Sequence, residues 1–295
     1  MTSVEERLRS TFDSYGAQGF LHAVELGGDR EVALDADELV VSASVFKVPV
    51  LLELMRQASA GAISLSERVT VTSNDRVFGP TGISIFQDDT EISLKDLATL
   101  MMTVSDNTAT DLVMDRVGLD RINATLRDLG LEQTVLIGDC MDLFGSLLED
   151  IGLTVEEVVA HPTMSVGRLR RWRGLDPERT TRTTPRDTTR LLQLIAQHEA
   201  APVDACTEIR RVMSLQYAPH RLRAGLPAPL LVWGKTGTLP GVYNEVGVVE
   251  YPDGSAYAVA VFTRSPETIG MNPRADRAIA EAAAIAVAEL RPEND

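Results

Sequence analysis

Apolar residues along the chain recur with a helical period in some stretches and cluster or alternate like strands in others, and the order of the two kinds carries the first information. Residues 5–15 predict a short amphipathic helix. Two strand-like runs follow, 19–26 and 31–34, and the turn signal Gly27-Gly28-Asp29 between them predicts a hairpin. From Ser44 to about Ala60, residues Val45, Val48, Leu51, Leu52 and Met55 keep helical spacing, and Gly61 supplies a stop. The middle of the chain then reads as helical, with apolar residues at i, i+3 and i+4 over 94–102, 109–117, 121–129 and 188–198.

The last third reverses this. Residues 230–233, 245–251 and 256–263 read as strands, with the turn Pro252-Asp253-Gly254 between the last two, and a helix over about 274–290 closes the chain. A hairpin at the start and three strands at the end predict one five-stranded antiparallel sheet assembled from both termini, flanked by the terminal helices. The fold class expected is α/β in the α+β sense. Residues 1–60 and 222–295 form the sheet lobe and 61–221 an inserted all-helical lobe, with a small-molecule site in the cleft between them.

Charge narrows the partners. The chain carries 43 Asp plus Glu against 28 Lys plus Arg, a formal charge of −15, and its pI is near 4.7. Such a field repels nucleic acid and anionic lipid over most of the surface, so neither is expected as a partner. Residues 1–7 lack the basic-then-apolar profile of a secretory signal, and no run of about 18 apolar residues is present to span a bilayer. The sequence as it stands predicts a cytoplasmic monomer acting on a small molecule. It predicts a secreted or periplasmic one if the N-terminus had been trimmed.

Among the cations, 25 are arginine and three are lysine, namely Lys47, Lys95 and Lys235. A lysine that persists against such a bias is a candidate for chemistry a guanidinium cannot do, such as losing its proton. Cys140 and Cys206 share no CxxC or zinc-type spacing and read as two free thiols. His161, His198 and His220 fall at no metal-ligand spacing, so no metal and no cofactor are expected.

Three short motifs carry polar chemistry. In Ser44-Val45-Phe46-Lys47 a hydroxyl and an amine lie three residues apart, so on a helix they share one face a turn apart. A serine is a poor nucleophile until something takes its proton, and an amine does so only when burial or nearby cations lower its pKa. Ser105-Asp106-Asn107 places a hydroxyl, a carboxylate and an amide in succession, and the same triplet is a good helix N-cap. In Lys235-Thr236-Gly237-Thr238, Gly237 lets a ligand approach the strand backbone and Lys235 offers a fixed cation. Pro229 stands where a Walker loop needs its first glycine, which excludes that reading.

Taken together and in this order, SxxK, SDN and KTG are the motif set of class A β-lactamases and penicillin-binding proteins, and the chain resembles that family. The likeness extends to His220-Arg-Leu-Arg-Ala-Gly-Leu-Pro227 before the KTG strand, Thr183-Thr-Pro-Arg186 ahead of a helix, and Gly241-Val-Tyr-Asn-Glu245 after the KTG. The resemblance implies a serine hydrolase of β-lactamase/transpeptidase-like fold acting on the C–N bond of a cyclic amide, with a place in antibiotic resistance. Ser44 would be the nucleophile that becomes acylated and Lys47 its proton acceptor. Ser105 would pass a proton to the leaving nitrogen with Lys235 nearby, and Asn107 would hold the substrate's side-chain amide. The N–H groups of Ser44 and Thr238 would form the oxyanion hole, where losing either donor costs about 3 kcal/mol. A substrate carboxylate would meet Thr236, Gly237, Thr238 and an arginine. Asn244 stands near the place where some members carry that arginine, so Arg221 is the candidate, against an ordinary surface arginine.

The chain departs from the family between about 138 and 185. Class A enzymes carry a glutamate in an ExxLN segment that activates the hydrolytic water, and no ExxLN occurs here. Counting back from Pro185 places Arg168 near that glutamate, and Thr181 takes the place of a loop-pinning aspartate. The segment is an enlarged, rebuilt omega-type loop. Glu149, Asp150, Glu156 and Glu157 either enter the site or are solvated helix-face charges. The basic run Arg168-Leu-Arg-Arg-Trp-Arg173 either recognises an anion or pairs with nearby acids. The alternatives on the same scaffold are an esterase, a D-amino-acid peptidase or a biosynthetic acyl-transfer enzyme. From a different class, a sensor would bind a β-lactam covalently and keep it.

Overall fold

In the computed structural model the first hairpin forms where the pattern places it. Strands β1 (Gln18–Glu25) and β2 (Glu31–Leu34) pair antiparallel, with Leu21 opposite Leu34, and Gly27 takes the positive φ of +83° that the turn needs. The structure describes residues 2–152, 154, 157, 166–227, 230–267 and 271–291. Two further short strands follow, β3 (Val40–Val41) and β4 (Arg68–Val71), then β5 (Thr90–Ser93) and β6 (Arg182–Thr183). The C-terminal strands are β7 (Leu231–Leu239), β8 (Val242–Glu250) and β9 (Ala256–Arg264).

The main sheet runs β2-β1-β9-β8-β7, antiparallel throughout, so the two ends of the chain meet at the β1–β9 ladder from Gln18↔Arg264 to Glu25↔Tyr257. Successive residues of β8 feed opposite cores, as a two-residue period requires. Tyr243 and Val249 pack beneath the terminal helices Val4–Ser14 and Pro273–Leu290. Val246 and Val248 pack on the other face with Leu51, Leu52 and Met101. Both faces are therefore covered, and the all-apolar reading of these strands follows.

Strand β7 is longer than its apolar pattern, which stops at Trp233. Gly234 and Gly237 interrupt the alternation, and Gly234 is required by close packing: a Cβ there would lie 2.4 Å from Val246 O. The predicted helices appear at Leu94–Thr103, Asn107–Val117, Leu119–Asp128 and Pro185–Ala196. The helix expected to start at Ser44 is a 3-10 turn, Ala43–Phe46, continued by an α-helix, Lys47–Ser59. Pro49 fits that first turn, where its missing N–H has no partner to lose. Cys140–Ile151 and Val203–Ser214 are helices the pattern did not predict. Among the described residues no helix is long and apolar enough to cross a membrane.

Candidate active site

Ser44 is half-buried in the 3-10 turn, and the backbone leading to it is held from two sides. Ser42 N donates to Thr181 O at 3.3 Å, while Asn244 Nδ2 donates to Val41 O at 3.0 Å and Ser42 O at 3.2 Å. Ala43 has φ +45°, a left-handed conformation that costs a non-glycine residue about 1–3 kcal/mol and persists only where the surroundings impose it. Strand β7 runs directly alongside. A Cβ on Gly237 would lie 2.8 Å from Ser42 O and 3.2 Å from Ser44 N, so glycine there lets the strand and the nucleophile's own N–H come together.

One turn on, Lys47 is fully buried, and its Nζ donates to Ser105 O at 2.8 Å, Ser105 Oγ at 3.1 Å and Asn107 Oδ1 at 2.9 Å. Burial lowers its proton affinity, with the carboxylates of Asp111 and Asp106 opposing. Ser105 also has a positive φ, +61°, which turns its hydroxyl and carbonyl toward Lys47. Asp106 realises the capping reading of the same triplet. It is fully buried, and its oxygens accept from Ala109 N at 3.0 Å, Ile83 N at 2.6 Å and Ser84 Oγ at 3.2 Å. The motif is thus one structural residue between two that face the amine.

Lys235 is fully buried on β7, and its Nζ donates to Thr236 O at 2.8 Å. Burial, then the charges of Lys47 and Arg221, pull its pKa well below that of a free lysine. Thr238 is exposed on the free edge strand, and Thr236 is half-buried. Arg221 is not a surface arginine: 4% exposed, it bonds Asp276 Oδ1 at 2.7 Å through Nε, Asn244 O at 2.7 Å and Gly237 O at 3.2 Å through Nη1, and Thr238 Oγ1 at 2.9 Å through Nη2. A cation is therefore fixed beside the Thr238 hydroxyl.

On the far side of Lys47 lies Cys140, the first residue of the Cys140–Ile151 helix. Its thiol reaches Asn107 Oδ1 at 3.5 Å, and Asn107 Nδ2 donates to Phe78 O at 2.8 Å. Burial pushes the Cys140 thiol up, which keeps it protonated. Asp111 anchors the helix start by accepting from Cys140 N and Met141 N, each at 2.9 Å, and burial raises its pKa to about 6.

The model of the beta-lactamase enzyme family matches residues 3–290. The chain belongs to that family. It is 26% identical to the beta-lactamase regulatory protein BlaB of Streptomyces cacaoi over 297 residues, 95% of each chain. It is also 26% identical to the beta-lactamase of Streptomyces albus G, over 97% of this chain and 84% of that one. The crystal structure of a beta-lactamase from Sphaerobacter thermophilus superposes with a TM-score of 0.79 at 25% identity, covering 98% of this chain and 97% of the other. The β-lactamase/transpeptidase-like fold expected from the motifs is the fold observed.

The structure brings Ser44, Lys47, Ser105, Asn107, Lys235, Gly237, Thr238 and Arg221 together through a chain of contacts. Of the 138–185 segment, the described side chain that reaches Asn107, the hydrogen-bond partner of Lys47, is Cys140. The side chain of Arg168, and Glu156 and His161, lie outside the described residues. Glu149 and Asp150 pair with Arg173, Asp150 Oδ2 at 3.1 Å from Nε, and Glu157 Oε2 accepts from Thr154 N at 2.8 Å. Thr181 pins the loop, its Oγ1 accepting from Ile137 N at 3.1 Å. Among the described residues no group of three metal-ligating side chains occurs.

Proposed function

We propose that this β-lactamase-family protein forms an acyl-enzyme at Ser44 with a β-lactam or a related amide or ester. The observation that carries the reading is Lys47, an amine stripped of water, one helical turn from Ser44 and hydrogen-bonded to Ser105 and Asn107. In its neutral form Lys47 takes the Ser44 proton while Oγ forms a bond to the carbonyl carbon. The charge that moves onto the carbonyl oxygen is received by the N–H groups of Ser44 and Thr238. The C–N bond then breaks as Ser105 Oγ gives its proton to the nitrogen and recovers one from Lys47. The net result is an ester at Ser44 and an N–H on the leaving group. Lys235, Thr236, Thr238 and Arg221 supply a carboxylate-binding edge, Arg221 acting through its hold on Thr238 Oγ1.

A second reading, a protein that keeps the acyl group and works as a β-lactam sensor, is favoured by Cys140. A neutral thiol stands beside Asn107, no ExxLN glutamate occurs in the chain, and a protonated thiol cannot serve as a base. The S. cacaoi relative, named a regulatory protein, agrees with this reading. The two are separated by mixing the protein with a simple penicillin and following adduct and hydrolysed drug from seconds to hours. Hydrolysis with little standing adduct marks a working β-lactamase; a persistent adduct with little product marks the sensor or an acyl-transfer enzyme.

A further inference from the structure

Glu245 is a buried carboxyl to which the acylation scheme gives no part. It lies on β8 opposite Thr236 of β7 and is 1% exposed. Its Oε2 accepts from Leu222 N at 2.6 Å and its Oε1 from Gln216 Nε2 at 3.1 Å. Gln216, half-buried just beyond the Val203–Ser214 helix, turns its Oε1 to the Thr236 N–H. Because β7 is the edge strand, that N–H points away from the sheet. The glutamine side chain thus acts as a peptide group closing the strand edge at Thr236, and it leaves Thr238 as the next edge position.

A carboxamide can be seated either way round, and its neighbours decide which. An ionised carboxylate only accepts, so Glu245 demands the NH2 end of Gln216 and thereby presents the oxygen to Thr236. A protonated Glu245 can donate instead, which turns the NH2 end toward Thr236 and sets two donors against each other. We infer that Glu245 is a positioning residue: through the orientation of Gln216 it fixes the β7 edge at Thr236 and so sets where along that strand a substrate engages. The second half of this statement rests on the acylation reading.

The surroundings make the two states accessible near neutral pH. Burial pushes Glu245 up to about 7, against the hydrogen bonds from Leu222 and Gln216 and the charges of Arg221 and Lys235. Arg221 faces it from the segment before Leu222 and is itself held by Asp276 of the C-terminal helix, with His220 Nε2 3.9 Å from Asp276. Lys235 stands on the adjoining strand, one residue from Thr236.

The test begins on the free protein, without substrate, by measuring hydrogen-exchange protection of the Thr236 amide between pH 5.5 and 8.5. Protection in the wild type is expected to fall about tenfold as pH drops through 7, the size of one hydrogen bond. Glu245→Gln, which imitates the protonated acid, is expected to be poorly protected at every pH. Gln216→Ala, at a half-buried position beyond a helix end, is expected to behave likewise and guards against a failure of the first variant to fold. Acylation of Ser44 by a penicillin should slow in both variants and follow the same pH curve in the wild type. Unchanged Thr236 protection in the variants overturns the inference, as does wild-type acylation at all pH values in variants that have lost it. A wild type with pH-dependent protection and no acylation upholds the link from Glu245 to Thr236 and overturns the acylation reading instead.

Discussion

The Cys140 thiol reaches Asn107 Oδ1 at 3.5 Å, and the same oxygen accepts from Lys47 at 2.9 Å. A neutral sulfur, which cannot take a proton from water, therefore stands next to the Lys47–Asn107 hydrogen bond. Its chemistry predicts an acyl-enzyme that outlives its formation.

Two substitutions measure that consequence. Cys140→Ser changes no ionisation state and is expected to leave the lifetime of a penicillin adduct within about twofold. Cys140→Glu introduces an acceptor and is expected to shorten the lifetime at least tenfold, about 1.4 kcal/mol off the barrier. Equal lifetimes in wild type and Cys140→Glu, read by intact mass after removal of excess drug, would show that this position does not control deacylation.

Buried Arg221 and half-buried Asp276 pair at 2.7 Å, so removing the arginine does two things at once. It leaves Asp276 with only His220, at 3.9 Å, for a cationic neighbour, which costs up to about 3 kcal/mol of stability, and it frees the Thr238 hydroxyl. The double variant Arg221→Ala/Asp276→Asn is expected to regain most of the stability and none of the acylation rate toward carboxylate-bearing drugs. Denaturant melts and single-turnover kinetics on the single and double variants separate the two effects. Recovery of both together would make Arg221 purely structural.

Asp106 ties the Ser105 turn to the loop that carries Ile83. Replacing it with alanine removes the cap of the Asn107–Val117 helix and strands the buried Ile83 N–H. A loss of about 3 kcal/mol in denaturant unfolding is expected. A loss under about 1 kcal/mol would mean that the cap alone matters.

Asp111 gives stability a pH dependence whose sign can be worked out. Burial raises its pKa from 3.8 to about 6, so between those values the folded protein keeps a proton that the unfolded chain has released. The favourable contribution is complete below the lower value and is lost as pH rises through the upper one, about 3 kcal/mol in all. The stability of wild type relative to Asp111→Asn is expected to fall across that window; a difference that does not vary with pH contradicts the assignment.

The fold was legible because its signals are local. The short apolar runs of β1, β8 and β9 reflect burial on both faces and the helical spacing around Leu51 and Leu97 burial on one, and the positions of the strands at both ends imply the shared sheet. Ser44, Lys47, Ser105 and Lys235 were legible through motif order and the scarcity of lysine. The glycine-interrupted half of β7 was not, because its residues are chosen for the contact of Gly237 with the Ser44 turn and not for a core. Cys140 and Glu245 were missed for a related reason. Cys140 follows Asp139 and Glu245 follows Asn244, so their neighbours do not single them out, and only the tertiary contacts with Asn107 and Gln216 show what each one faces.

The central claim is that Lys47 activates Ser44 for acylation. It is tested most directly by stopped-time intact-mass measurement of the protein with excess penicillin, comparing wild type, Ser44→Ala and Lys47→Ala. Stoichiometric addition of the drug mass to wild type is expected, mapped by peptide analysis to the segment holding Ser44. No addition is expected to Ser44→Ala, and in Lys47→Ala addition is expected to slow at least a thousandfold, about 4 kcal/mol. Rapid acylation of Lys47→Ala, or an adduct that persists in Ser44→Ala, would contradict it.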